Sequence, residues 1–185
     1  MRVLTLDSAA FGRICRELAG LVVASGFEPQ LIVGIRRGGE YVACEMRPCF
    51  SRAALGFVGL QRPSTSRKRM FGKVLGRLPR PLLDRLRIIE AYVLAGRHRS
   101  VSDLPPFQLP SSLTGLGQIR VLLVDDAVDS GTTMLRVAEA LRCGNPEIEL
   151  RTAAITVTTA APLTRPDYAI YDDRTLIRFP WSMDA

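Results

Sequence analysis

Apolar residues fall in short dense runs separated by stripes of helical period. Residues 3–6 open with a short β-type run, and Asp7 or Ser8 stands where a helix cap is needed. The apolar positions that follow, Phe11, Ile14, Cys15, Leu18, Leu21 and Val22, share one helical face, and Gly26 is placed to end that helix. Residues 31–35 are a short apolar run leading into Arg36-Arg37-Gly38-Gly39, which predicts a buried strand and a phosphate-sized turn, with a helix over 39–46. Residues 53–60 predict another strand and residues 121–124 a fully buried one. Residues 132–143 carry a helix that Gly144-Asn145-Pro146 stops. A β-branched strand over 150–158 and two short late strands, at Ile170 and over 176–179, complete the pattern. Alternation of strand and helix predicts an α/β domain with a parallel sheet, in which ligands sit at the carboxyl ends of the strands. Both candidate phosphate turns, after Ile35 and after Val124, fall at such ends.

Almost sixty residues separate the strand ending near Leu60 from the one starting near Arg120. Within 62–99 stand eleven Lys or Arg against two acids, Asp84 and Glu90. The chain's net charge is +7, so the remainder is negative by two. Pro79 and Pro81 break this segment, and Leu82, Leu86, Ile89 and Val93 form a helical stripe after them. We read one domain over 1–185, with residues 61–118 as a basic helical insert or lid within it. Its Ser- and Arg-rich stretch 62–68 is the candidate lid.

Composition fits this single domain. The 185 residues are 47% hydrophobic and only 6% aromatic, an aliphatic globular balance. The positive charge favours anionic partners without choosing among them. No stretch is long enough to span a bilayer, and the apolar run 18–24 is short, abutted by Glu17 and followed by no cleavage site, so no signal peptide is expected. Cys15, Cys44, Cys49 and Cys143 form no repeating frame, which points to a reducing, cytoplasmic compartment. His98 is the only histidine, which argues against multi-histidine zinc sites and against a Ser-His-Asp or Cys-His hydrolase.

The chemistry concentrates in residues 121–133. An apolar strand leads into Asp125 and Asp126, and Asp129-Ser130-Gly131-Thr132-Thr133 then opens a helix. Ionised carboxylates only accept hydrogen bonds, so an adjacent pair suits the two hydroxyls of a ribose. The turn offers amides, hydroxyls and a helix N-terminus to a phosphate, and Gly131 lets the backbone approach it.

This segment resembles the binding motif for 5-phosphoribosyl-1-pyrophosphate (PRPP) of type I phosphoribosyltransferases. The resemblance implies a Rossmann-like parallel sheet flanked by helices, with a small C-terminal hood over 159–185. It implies that Asp125 and Asp126 hold the ribose hydroxyls and, through PRPP, touch magnesium indirectly. Asp129, Ser130, Gly131, Thr132 and Thr133 would hold the 5-phosphate. The 6-oxopurine branch carries an aspartate at the position of Asp129, where it shares a proton of the purine imidazole ring. That makes Asp129 a candidate general base. Arg36, Arg37, Gly38 and Gly39 resemble the family's pyrophosphate loop, with Arg37 assigned to catalysis. This loop often carries a non-proline cis peptide, here expected at Arg36–Arg37.

The chain's end resembles the hood of xanthine–guanine and archaeal hypoxanthine enzymes, through Thr164-Arg165-Pro166-Asp167-Tyr168 and Ile177-Arg178-Phe179-Pro180-Trp181. Arg165, Leu176, Ile177 and Phe179 are the expected base-binding residues. Arg165 stands where those relatives have a lysine, Leu176 where they have a stacking tryptophan, and Ser182 where they have an acid. The function implied is phosphoribosyl transfer from PRPP to a nucleobase, with magnesium as cofactor and a homo-oligomeric state. The alternative is a PRPP-sensing regulator of the same fold that binds nucleic acid through the basic insert. Phe71, Tyr92 and Phe107 give that insert little aromatic interleaving.

Overall fold

The computed structural model describes residues 2–59, 109–172 and 175–182. They belong to one compact unit formed by Met1–Leu60 and Pro105–Ala185. The basic segment 62–99 and the candidate lid 62–68 lie outside the described residues.

The main sheet has five parallel strands in the order β3-β2-β4-β5-β6. They are β2 (Leu31–Ile35), β3 (Ala54–Val58), β4 (Arg120–Val128), β5 (Glu149–Val157) and β6 (Tyr168–Tyr171). Helices α1 (Ser8–Ala24), α2 (Gly38–Met46) and α3 (Thr132–Gly144) accompany it. The Asp7 side chain accepts from the Ala10 amide at 2.7 Å and so caps α1, as the sequence predicts. Asn145, just past α3, is buried and donates to the carbonyls of Leu113 and Leu141.

Residues of β2 and β4 alternate between two cores, which is why both strands read as unbroken apolar runs. Ile32, Leu122, Val124 and Ile155 pack with Leu18, Val22, Val42 and Met46 from α1 and α2. Val33, Val121, Leu123 and Ala154 pack with Met134, Val137 and Leu141 from α3. Among the described residues no helix is long and apolar enough to cross a membrane.

Two sequence expectations change. The strand expected over 121–124 continues to Val128, because β5 runs beside it as far as Val157. The two carboxylates therefore lie within the strand rather than past its end. The late strand β7 (Thr175–Arg178) does not join the main sheet. It pairs in parallel with β1 (Arg2–Thr5), so the expected hood at 159–185 gains a strand from the other end of the chain.

Candidate functional site

Strand β2 pairs with β4 only as far as Gly34 opposite Val124. Beyond that point β4 keeps its partner β5, while the chain after Ile35 turns away into α2. This corner brings Asp125 and Asp126 against the Arg36-Arg37-Gly38-Gly39 turn, with Gly38 abutting Asp126 and Gly39 abutting Asp125. It sits at the carboxyl ends of parallel strands, where such sheets bind ligands.

The turn and the acidic pair fit each other closely. A β-carbon at Gly38 would lie 2.1 Å from the Asp126 carboxyl carbon, so only glycine leaves the carboxylate its place. The Arg36–Arg37 peptide is cis, as expected. Both arginines are exposed. The Arg36 amide donates to the Val58 carbonyl at 2.8 Å, its guanidinium lies 5.9 Å from the Phe57 ring centre, and its Nε is 3.5 Å from Glu40.

Asp125 is buried, and its Oδ1 accepts from the Asp126 amide at 3.0 Å. Burial, reinforced by the neighbouring Asp126 charge, holds the Asp125 carboxyl well above the usual carboxylate range. Burial also raises that of Asp126. Two carboxylates sharing a desolvated corner create a local demand for donors and positive charge, which a ligand with hydroxyls and a bound cation would meet. Among the described residues no group of three or more His, Cys, Asp or Glu forms a metal-holding cluster.

The turn from Asp129 to Thr133 leads into α3. Gly131 has φ of 77° and precedes the helix with no side-chain cap. A side chain on it would meet the Thr164 backbone at 2.7 Å. The Leu163 amide donates to the Ser130 carbonyl at 2.8 Å, so the loop after β5 braces this turn from behind. Ser130 and Thr132 hydroxyls lie 3.0 Å apart. The amides of Thr133 and Met134 lie in the first turn of α3, where a helix supplies no intrahelical acceptor. An anion there would complete the helix end. Asp129 is exposed, and its Oδ1 accepts from the Thr158 hydroxyl at 2.6 Å. That last contact has no signature in the sequence beyond a threonine at a strand end; it needs the β4–β5 register to be seen.

The expected base-binding residues divide. Leu176 pairs with the exposed Val3 and is half-buried. Ile177 packs on the α1–α2 core, and Phe179 is buried within it. Phe179, expected to bind the base, is instead packed in the core: it is buried, its ring stacks on Trp181 at 4.9 Å and it makes a T-shaped contact with Phe11. Trp181 also stacks on Tyr41 of α2 at 4.5 Å, fastening the end of β7 to the helix that follows the arginine turn. Arg165 directs one donor to Asp172 and another to the Ala160 carbonyl, so its fork is engaged in its own loop. Asp167 anchors that loop, accepting from the Thr152 amide at 2.7 Å and hydroxyl at 2.8 Å.

Two clefts of about 310 and 340 Å³ open at the opposite, amino ends of the strands. The first is lined by an Arg151–Asp167 ion pair and a Ser25–Tyr168 hydrogen bond of 2.7 Å, and Arg120, which lines both, has a buried Nε with no hydrogen-bond partner among the described residues.

The model of the phosphoribosyl transferase domain family matches residues 5–184. No curated protein sequence matches the chain. Among solved structures, the purine phosphoribosyltransferase of Pyrococcus horikoshii Ot3 superposes with a TM-score of 0.65 at 18% identity, over 98% of this chain and 95% of that one. The xanthine-guanine-hypoxanthine phosphoribosyltransferase of Helicobacter pylori gives 0.59 at 16% identity, over 99% and 94%. A hypothetical protein from Neisseria gonorrhoeae with bound ppGpp gives 0.58 at 16%, over 99% and 91%. At such identities these are likenesses of fold.

Proposed function

The chain belongs to the phosphoribosyl transferase domain family, and on that premise we propose that it transfers the phosphoribosyl group of PRPP to a purine base, releasing pyrophosphate. The observation that supports this reading is the meeting of three features at one corner of the sheet: the buried Asp125 with the half-buried Asp126, the helix-opening turn 129–133, and the arginine turn whose Gly38 backs onto Asp126.

In this reading the carboxylates of Asp125 and Asp126 accept from the two ribose hydroxyls. Ser130, Thr132, Thr133 and the open amides of α3 receive the 5-phosphate. Arg36 and Arg37, with the Gly38–Gly39 backbone, receive the pyrophosphate, and Arg37 stabilises the charge that grows on it as it leaves. A nitrogen of the base forms the new bond to the anomeric carbon while the carbon–oxygen bond to pyrophosphate breaks and the leaving oxygen keeps the electron pair. The proton released from the base goes to Asp129. Magnesium fits this site as a companion of PRPP, since the described residues would offer it only the Asp125–Asp126 carboxylates; when bound it would neutralise pyrophosphate charge. Base recognition falls to Asp129 and the Leu176 face of the β1–β7 pair, with Arg165 held by Asp172.

Incubation with magnesium, PRPP and hypoxanthine, guanine or xanthine tests this directly. Base-dependent release of pyrophosphate is expected. The charge of segment 62–99 favours a second reading, a PRPP-sensing regulator that binds nucleic acid. Salt-sensitive RNA or DNA binding, with no release on any base, would support that reading instead.

A further inference from the structure

Asp129 carries an exposed carboxylate, and one of its two oxygens is already engaged. The Thr158 hydroxyl donates to Asp129 Oδ1 at 2.6 Å. Backbone pairing fixes this meeting. Val157, the last residue of β5, pairs with Val128, the last of β4, and the Thr158 amide donates to the Val128 carbonyl at 3.0 Å. Thr158 is therefore delivered beside Asp129 by the sheet itself.

We infer that Thr158 is a positioning residue for Asp129: by occupying Oδ1 it presents Oδ2 to the imidazole N–H of the acceptor base. The inference rests on the role proposed above for Asp129. An exposed aspartate rotates freely about its terminal torsion, which is broad and two-fold. A short hydrogen bond to an ionised oxygen restricts that rotation and fixes which oxygen faces outward. Threonine suits the task, because its branched Cβ limits its own χ1 while the hydroxyl supplies the single donor. Serine keeps the donor without the branch, and valine keeps the branch without the donor.

Four variants separate the possibilities: Thr158→Val, Thr158→Ser, Asp129→Asn, and Thr158→Val with Asp129→Asn. Turnover is measured with magnesium, PRPP and whichever of hypoxanthine, guanine or xanthine the wild type uses. Thr158→Val is expected to lower kcat by about tenfold or more, since misplaced catalytic groups are costly, with KM for PRPP and Tm unchanged. Thr158→Ser should stay near wild type. In the Asp129→Asn background, Thr158→Val should add no further loss.

Wild-type turnover in Thr158→Val, or a loss that multiplies with that of Asp129→Asn, would overturn the positioning role while leaving Asp129 in place. A silent Asp129→Asn overturns the assignment of Asp129 and this inference with it. Absence of turnover by the wild type with all three bases does the same.

Discussion

Gly38 and the Asp126 carboxylate occupy adjoining space so completely that a β-carbon on the first would fall 2.1 Å from the carboxyl carbon of the second. The arginine turn and the acidic pair are thus closely fitted to each other. Gly38→Ala must displace the half-buried Asp126 carboxylate or the turn. It should destabilise the protein by about 1–3 kcal/mol, as overpacking does, and weaken PRPP binding by about tenfold or more. Urea unfolding and calorimetric titration with PRPP measure the two effects. Binding left intact would show that the fit is incidental.

The acidic pair carries an electrostatic cost in the folded protein. Burial and the Asp126 charge raise the Asp125 carboxyl well above the ordinary range it has in the unfolded chain. A carboxyl raised on folding contributes its full stability below the unfolded value and loses it as pH rises through the folded value. Ligand-free protein should therefore carry a penalty from this group at neutral pH. Asp125→Asn is expected to raise Tm at pH 7.5, each ~1 kcal/mol being worth about 2–4 °C in a domain of this size. That gain should shrink as pH falls below the raised value. A lower Tm at pH 7.5 would mean that Asp125 contributes to stability as the ionised form.

Gly131 combines a left-handed backbone with the close approach of Thr164. Gly131→Ala incurs about 1–2 kcal/mol for the backbone alone, and the collision with Thr164 adds to it. Because the loop after β5 braces the turn through Leu163 and Ser130, this variant should lose both stability and PRPP affinity. Thermal unfolding with and without PRPP reads both. Retained stabilisation by PRPP in Gly131→Ala would show that the 5-phosphate lies elsewhere.

Much of this was legible before the structure. Residues 31–35 read as a buried strand because both faces are covered, leaving no polar position to blur the run. Asp7 announced α1 through its capping chemistry. The extension of β4 through Asp125 and Asp126 was not legible, since aspartate is disfavoured in strands and only the neighbouring β5 holds it there. The β1–β7 pair joins residues from opposite ends of the chain, and no local pattern specifies that. Thr175, Ile177 and Phe179 alternate inward, so the two-residue period of a strand places Phe179 on the face opposite Leu176.

The central claim is that the acidic end of β4 and the turn after it grip a phosphorylated sugar. Calorimetric titration of magnesium and PRPP into the wild-type chain and into Asp125→Asn/Asp126→Asn tests it most directly, with circular dichroism to establish that both are folded. Saturable binding by the wild type, and its loss in a folded double variant, is the predicted result. Equal PRPP affinity in the two proteins would contradict it.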